Sequence, residues 1–231
     1  MAHVSTSNSQ GDGGSPVESD AIISLRGIQK RYGRKQILDI PEFDIRRSDR
    51  IELIGANASG KSTLARLIAG YAKPNRGHIL RSAELKTARI GLLRQTGGLY
   101  RDLTLMQNIV MIARLFGRRD AITPHSERVI SALEIGPYLD RKSGTLSGGL
   151  QRLSALAALI SARPAALILD EPFAGLDETK VELVRSVLNS DHPKFQFVVV
   201  TGHTPQSIFP SSRVVNISEG KVVGTQGRTK S

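Results

Sequence analysis

The 231-residue sequence contains neither cysteine nor tryptophan. Without cysteine there are no disulfides, no thiolate-held iron–sulfur clusters and no thiol catalysis. Aromatic residues make up only 4% of the chain, which argues against single-strand nucleic-acid binding by base stacking. No run of about 18 or more apolar residues occurs, so no segment is expected to cross a membrane as a helix. Negative charge is also scarce: 21 Asp and Glu stand against 32 Lys and Arg, a net charge of +11. That excess suggests an anionic partner without choosing among nucleic acid, an acidic membrane surface and a phosphorylated ligand. What remains is 39% hydrophobic and 23% charged, the composition of one globular domain with a sizeable core and room for an insertion.

Residues 1–20 are rich in Ser, Gly, Asn and Gln and have almost no apolar anchor, which predicts a disordered tail. No basic stretch leads there into an apolar one, so the tail is not read as a secretory signal. Position 2 is not glycine, which argues against myristoylation. Order is expected from Ala21–Leu25, an edge strand, followed by strands at Phe43–Ile45, Arg50–Ile54 and Arg89–Leu93. Helical spacing marks Ser62–Gly70 and much of Leu103–Leu139. A further helix is expected from Leu150 to Ser161, then strands at Ala165–Leu169 and Phe195–Val200. Val214–Ile217 and Val222–Val223, around a Ser218-Glu219-Gly220 turn, read as a hairpin. Short, wholly apolar runs alternating with helices indicate a parallel sheet buried on both faces.

Gly55-Ala56-Asn57-Ala58-Ser59-Gly60-Lys61-Ser62-Thr63 fits G-x-x-x-x-G-K-[ST] and lies between an apolar strand and a helix, the context that gives the pattern meaning. Such a loop turns its backbone N–H groups inward as an anion nest, and the following helix adds its unpaired amides and positive dipole end. Lys61 would place its ammonium on the β and γ phosphates, and Ser62 would offer its hydroxyl to Mg²⁺. The chemistry also needs a carboxylate for the metal and a base for water. Asp170 and Glu171, at the end of an apolar strand, supply them in that order.

Leu146-Ser147-Gly148-Gly149, then Leu150-Gln151-Arg152 and a helix, then Asp170-Glu171-Pro172, resemble an ATP-binding cassette (ABC) ATPase. The similarity takes in Tyr32, Gln95, Ala174-Gly175-Leu176-Asp177 and Thr201-Gly202-His203, and spans about Ala21 to Gly224. It implies an α/β fold: a P-loop ATPase core with a mainly parallel sheet, an N-terminal antiparallel β part and an inserted helical subdomain near residues 97–160. On that reading residues 21–224 form the ATPase domain and 225–231 a C-terminal tail. ATP and Mg²⁺ are the implied cofactors, with Ser62, Gln95 and Asp170 around the metal.

The same resemblance implies roles for individual residues. Glu171, His203 and Gln95 would be catalytic, with His203 on the γ-phosphate. Tyr32 would stack on adenine, although a half-buried strand-end tyrosine explains it nearly as well. Ser147, Gly148 and Gly149 would close over the phosphate of a second subunit, and Asp177 would cross the dimer seam. Ser147 also reads as a helix N-cap, which is compatible with that role because the cap geometry is also an anion site. Asp177 reads alternatively as a helix N-cap. Four departures stand out: Ala58 where the family usually has glycine, Leu150 for a polar residue, and Leu153 and Ala158 where arginines are common.

About fifty residues separate Gln95 from Leu146 without sustained heptads, which disfavours the coiled-coil DNA-repair class. The insertion resembles that of transporter cassettes, and Leu103–Ile109 with Arg114–Gly117 resembles exporter systems. The implied role is a motor subunit on the cytoplasmic face, peripheral to separate membrane-spanning permease subunits and paired with a second ATPase subunit, alike or different. Arg114, Arg118 and Arg119 would then face acidic loops, anionic lipid or simply solvent. The alternative is a soluble ATP-switched protein acting on nucleic acid or the ribosome; under the motor reading nucleic acid is not a partner.

Overall fold

The computed structural model describes residues 20–191 and 194–227. Residues 1–19 and 228–231, most of the two expected tails, lie outside the described residues. The chain runs β1 (Ala21–Tyr32), β2 (Lys35–Arg46), β3 (Arg50–Ile54), α1 (Lys61–Ala69), β4 (Arg76–Arg81), α2 (Ala83–Thr87) and β5 (Ile90–Leu93). It continues through α3 (Leu105–Leu115), α4 (Pro124–Ala132), α5 (Gly148–Ser161), β6 (Ala166–Asp170), α6 (Glu178–Asp191), β7 (Val198–Gly202), β8 (Arg213–Ser218) and β9 (Lys221–Gly227). Six strands form one sheet in the order β5-β6-β7-β3-β8-β9, and β2-β1-β4 form a separate antiparallel sheet. In the larger sheet only β9 runs antiparallel to its neighbour.

Every residue of β3, β6 and β7 is buried, which is why β6 and the start of β7 read as apolar runs, while β3 buries the charged Arg50 and Glu52 among its apolar residues. The pleat divides them between two cores. Leu167, Leu169, Val198 and Val200 pack with Ile109, Val129, Leu156 and Val184 of the helices. Ile168, Phe197 and Val199 face the other way, onto Leu64 and Leu67 of α1 and Leu25 and Leu38 of the antiparallel sheet.

Three expectations need correction. The Ala21–Leu25 strand is central in its sheet, because β4 pairs along its far side. β4 reads Arg-Gly-His-Ile-Leu-Arg, too polar to announce itself as a strand. The ladder of β7 starts at Val198, opposite Arg50, so Phe195 and Phe197 are buried lead-in residues. β9 pairs with β8 out to Gly227, beyond the boundary at residue 224.

The inserted segment is helical, as α3 to α5 with short 3₁₀ turns at Gly136–Tyr138 and Ser143–Thr145. Arg118 does not point freely outward: its guanidinium donates to the carbonyls of Ala162 and Arg163 after α5. A buried carboxylate ties α4 to α6, because Asp191 Oδ1 accepts from Arg128 Nη2 at 2.5 Å and from Lys194 Nζ at 2.7 Å. Burial pulls the Asp191 carboxyl up, but the hydrogen bonds from Lys194 and Arg128 outweigh it and hold the group below the usual 3.8. A carboxyl lowered by folding stabilises the fold above its unfolded value and loses that contribution as pH falls through the folded one. Asp191→Asn should therefore lower unfolding free energy at pH 7 by about 1–3 kcal/mol, the half-exposed cations being partly screened. In denaturant titrations the gap from wild type should shrink as pH falls below 3.8. Among the described residues no helix is long and apolar enough to cross a membrane.

Candidate nucleotide site

The sheet order brings the chemistry together. β3 lies between β7 and β8, and β6 on the other side of β7. Register sets Ile54 opposite Gly202, and Asp170 opposite Thr201. The loop after β3, the acidic pair at the end of β6, and His203 after β7 thus emerge at one carboxyl edge, where open α/β sheets bind ligands.

The loop between β3 and α1 is fixed by backbone geometry. Gly55 has φ 154°, and a Cβ there would lie 2.1 Å from the carbonyl oxygen of Ile217, so no side chain fits. The N–H of Gly220 donates to Ser59 O at 2.9 Å, pinning the loop to the β8–β9 turn. Ala58 sits at φ 60°, in the left-handed region. Its methyl therefore costs about 1–2 kcal/mol of strain that glycine would avoid, more than an added volume alone. Lys61 Nζ donates to the carbonyls of Gly55 (2.7 Å) and Ala56 (2.8 Å). Burial pushes the ammonium below the usual lysine value, against the pull of Glu171 and Asp170.

A cleft of about 250 Å³ is lined by Tyr32, Asn57 to Thr63, Gln95 and Glu171, and also by Lys35 and Ile37 of β2. Tyr32 is 49% exposed at its mouth, with Lys30 Nζ 5.0 Å from the ring centroid. Behind Ser62, Asp170 is 2% exposed and its Oδ1 accepts from Ser62 Oγ (2.9 Å) and Thr201 Oγ1 (2.7 Å). Thr201 Oγ1 in turn accepts from the N–H of Glu171 at 3.0 Å, a residue held at φ 50°. The Glu171 carboxylate stands between two side chains: Gln95 Nε2 donates to Oε2 at 2.8 Å, and His203 Nε2 lies 3.6 Å from Oε1.

The hydroxyl, carboxylate and amide oxygens of Ser62, Asp170 and Gln95 form a hard-donor set that fits Mg²⁺ completed by phosphate and water. Among the described residues no cluster of three or more His, Asp or Glu could hold a metal by itself.

The family model described as "ABC transporter" matches residues 38–174, more than half of the chain. The chain belongs to the ABC transporter family. This ABC cassette is 30% identical over 213 residues to the sulfate/thiosulfate import ATP-binding protein CysA of Salmonella typhi, covering 87% of the chain and 58% of that protein. With its Yersinia pestis counterpart it shares 30% identity over 218 residues, 88% of the chain and 60% of the relative. The chain thus spans less than two thirds of the length of these relatives. Among solved structures, a dimeric bacterial ABC transporter cassette superposes with a TM-score of 0.76 at 24% identity, over 90% of this chain and 99% of that one. Another cassette, in a post-hydrolysis state with ADP and Pi, gives 0.75 at 22%, with the same coverage. These two likenesses establish the fold.

Ser147, Gly148, Gly149 and Asp177 do not line the cleft of this ABC cassette. Ser147 caps α5, its Oγ accepting from the N–H of Leu150 at 3.4 Å, and Asp177 caps α6, Oδ1 accepting from the N–H of Lys180 at 3.0 Å. Gly149 lies near the Gly175 carbonyl, so the two loops adjoin. Among the departures, Leu153 and Ala158 are buried and pack with the helical core. Sequence reasoning missed Lys35, Ile37 and Arg152. For the lining residues no signal existed. Arg152 enters the sequence reading only as part of the Leu150-Gln151-Arg152 segment of the resemblance, with no role of its own, and in the structure it is 7% exposed.

Proposed function

We propose that the chain binds and hydrolyses ATP as the nucleotide-binding subunit of a transporter whose membrane-spanning subunits are separate chains. The reading is carried by one observation: a carboxylate, Glu171, lies between Gln95 and His203 at the edge of the cleft lined by the Lys61 loop. The loop amides and Lys61 receive the triphosphate, Lys61 exchanging its carbonyl partners for phosphate oxygens. Ser62, Asp170 and Gln95 would hold Mg²⁺, which when bound neutralises β and γ oxygens. Glu171 accepts the proton of the attacking water, Gln95 orients that carboxylate, and His203 donates toward the γ-phosphate. Tyr32 supplies an aromatic face to the base.

A single cleft of this kind is open on the side of the phosphates. A second copy, or a related ATPase subunit, presenting the capped N-terminus of α5 would cover it with amides and the positive dipole end. Asp177 would meet that partner at the seam. Nucleotide binding favours the closed pair and hydrolysis the open one, a difference in affinity that drives the permease.

The names of the relatives, which are import proteins, support import over the export implied by the exporter-like segment. Co-purification from membranes should return a multi-helix permease, and reconstitution should give ATP-dependent uptake. Recovery of salt-sensitive nucleic-acid binding without any membrane subunit would overturn the proposal in favour of a soluble switch.

A further inference from the structure

Arg152 lies in the first half of α5, is buried, and directs its hydrogen bonds to backbone carbonyls rather than to a carboxylate side chain. Its guanidinium reaches five backbone carbonyls. Nη1 donates to Arg94 O (2.5 Å) and Gln95 O (3.1 Å), Nη2 to Asp170 O (2.6 Å) and Glu171 O (2.7 Å), and Nε to Pro172 O (3.3 Å). A guanidinium has five N–H bonds in one rigid plane, so its donor capacity matches this set of acceptors. The acceptors belong to two segments only: the end of the loop bearing Gln95 and the turn bearing Glu171. Those are also the two ends of the 2.8 Å bond between Gln95 Nε2 and Glu171 Oε2. Glu171 is moreover held at φ 50°, a backbone state that persists only when its surroundings over-determine it.

From this geometry we infer that Arg152 is a positioning residue for hydrolysis. It clamps the backbones of Gln95 and Glu171 into one register and ties the base to α5, the helix whose N-terminus carries Ser147, Gly148 and Gly149. A shift of α5 when that N-terminus engages a second subunit's nucleotide would therefore be transmitted to the base of its own cleft. The inference rests on the proposed role of Glu171 as base and adds a residue that touches neither nucleotide nor water. Lysine cannot substitute fully, because one ammonium has three N–H bonds and no fixed plane.

The test uses the full chain with ATP and Mg²⁺, comparing Arg152→Met, Arg152→Lys, Glu171→Gln and the Met–Gln double variant. Arg152→Met should lower kcat about 100-fold, the cost of a misplacement of roughly 1 Å, with ATP affinity within about threefold of wild type. Arg152→Lys should recover part of that loss. Combined with Glu171→Gln, Arg152→Met should lower the residual rate no further, because a group acting through the base has nothing left to position. If Arg152→Met fails to melt cooperatively, Arg152→Lys carries the test, with kcat about tenfold down and affinity kept. Wild-type kcat in the folded variant, or a parallel loss of ATP affinity, overturns the inference, as does a full multiplicative loss in the double variant. If Glu171→Gln alone hydrolyses ATP at the wild-type rate, the base assignment itself falls and the clamp falls with it. A silent Arg152→Met beside a dead Glu171→Gln removes the clamp only.

Discussion

Glu171→Gln should lower ATP turnover about a thousandfold while leaving ATP affinity within about threefold of wild type. The side chains are nearly the same size, so the cleft keeps its shape. The amide oxygen can still accept from Gln95 Nε2, now 2.8 Å from Oε2. What disappears is the proton acceptor, and with it the negative charge 3.6 Å from His203 Nε2. The phosphates are gripped elsewhere, by the loop amides and Lys61, which explains why binding survives. A split of this kind, kcat lost and binding kept, identifies an interaction made in the transition state alone. Steady-state phosphate release together with equilibrium nucleotide binding checks it. Hydrolysis at the wild-type rate would remove Glu171 as the base.

The elements around the phosphate loop were legible because two independent signals coincide there. The expected strand Arg50–Ile54 matches β3 residue for residue, and the helical spacing after Gly60 matches α1 to within one residue. Where only one signal exists the sequence says less. β4 is polar and α2 is five residues long, so neither stands out from loop. α6 has only a modest apolar stripe, Val184, Val187 and Leu188, and its clearest marker is its Asp177 cap. Asp177 and Ser147 illustrate a further point. Each has the cap geometry that the plain structural reading required, and a capped helix N-terminus is also what an anion site needs.

The candidate site was legible as motifs but not as a network. Neither the left-handed angle at Ala58 nor its strain can be read from a sequence in which only a methyl distinguishes it from glycine. Thr201 was visible as a neighbour of His203, yet its hydroxyl is what links Asp170 Oδ1 to the Glu171 N–H. Arg152 gains meaning only once segments 94–95 and 170–172 converge on it. In each case a residue acts on backbone groups remote in sequence, and no local pattern encodes such partners.

Lys61→Ala should abolish ATP binding at millimolar nucleotide, an affinity loss of about 100-fold or more. Lys61 as a residue is 4% exposed, and its ammonium is held by the Gly55 and Ala56 carbonyls. Its charge-assisted bonds to phosphate are worth about 1.5–3 kcal/mol, and the lost attraction between opposite charges in a partly desolvated cleft adds to that. The fold itself should tolerate the change, since removing a cation that burial already disfavours offsets the two lost hydrogen bonds. Thermal melts separate the two effects. Without nucleotide the variant should melt near wild type. With saturating ATP the wild type should gain about 2.7 kcal/mol at a hundredfold excess over Kd, and the variant almost nothing. An undiminished ATP-induced shift in Lys61→Ala would mean that the triphosphate is held by groups other than this loop. The Glu171 result would then have to be read without a phosphate cradle beside it.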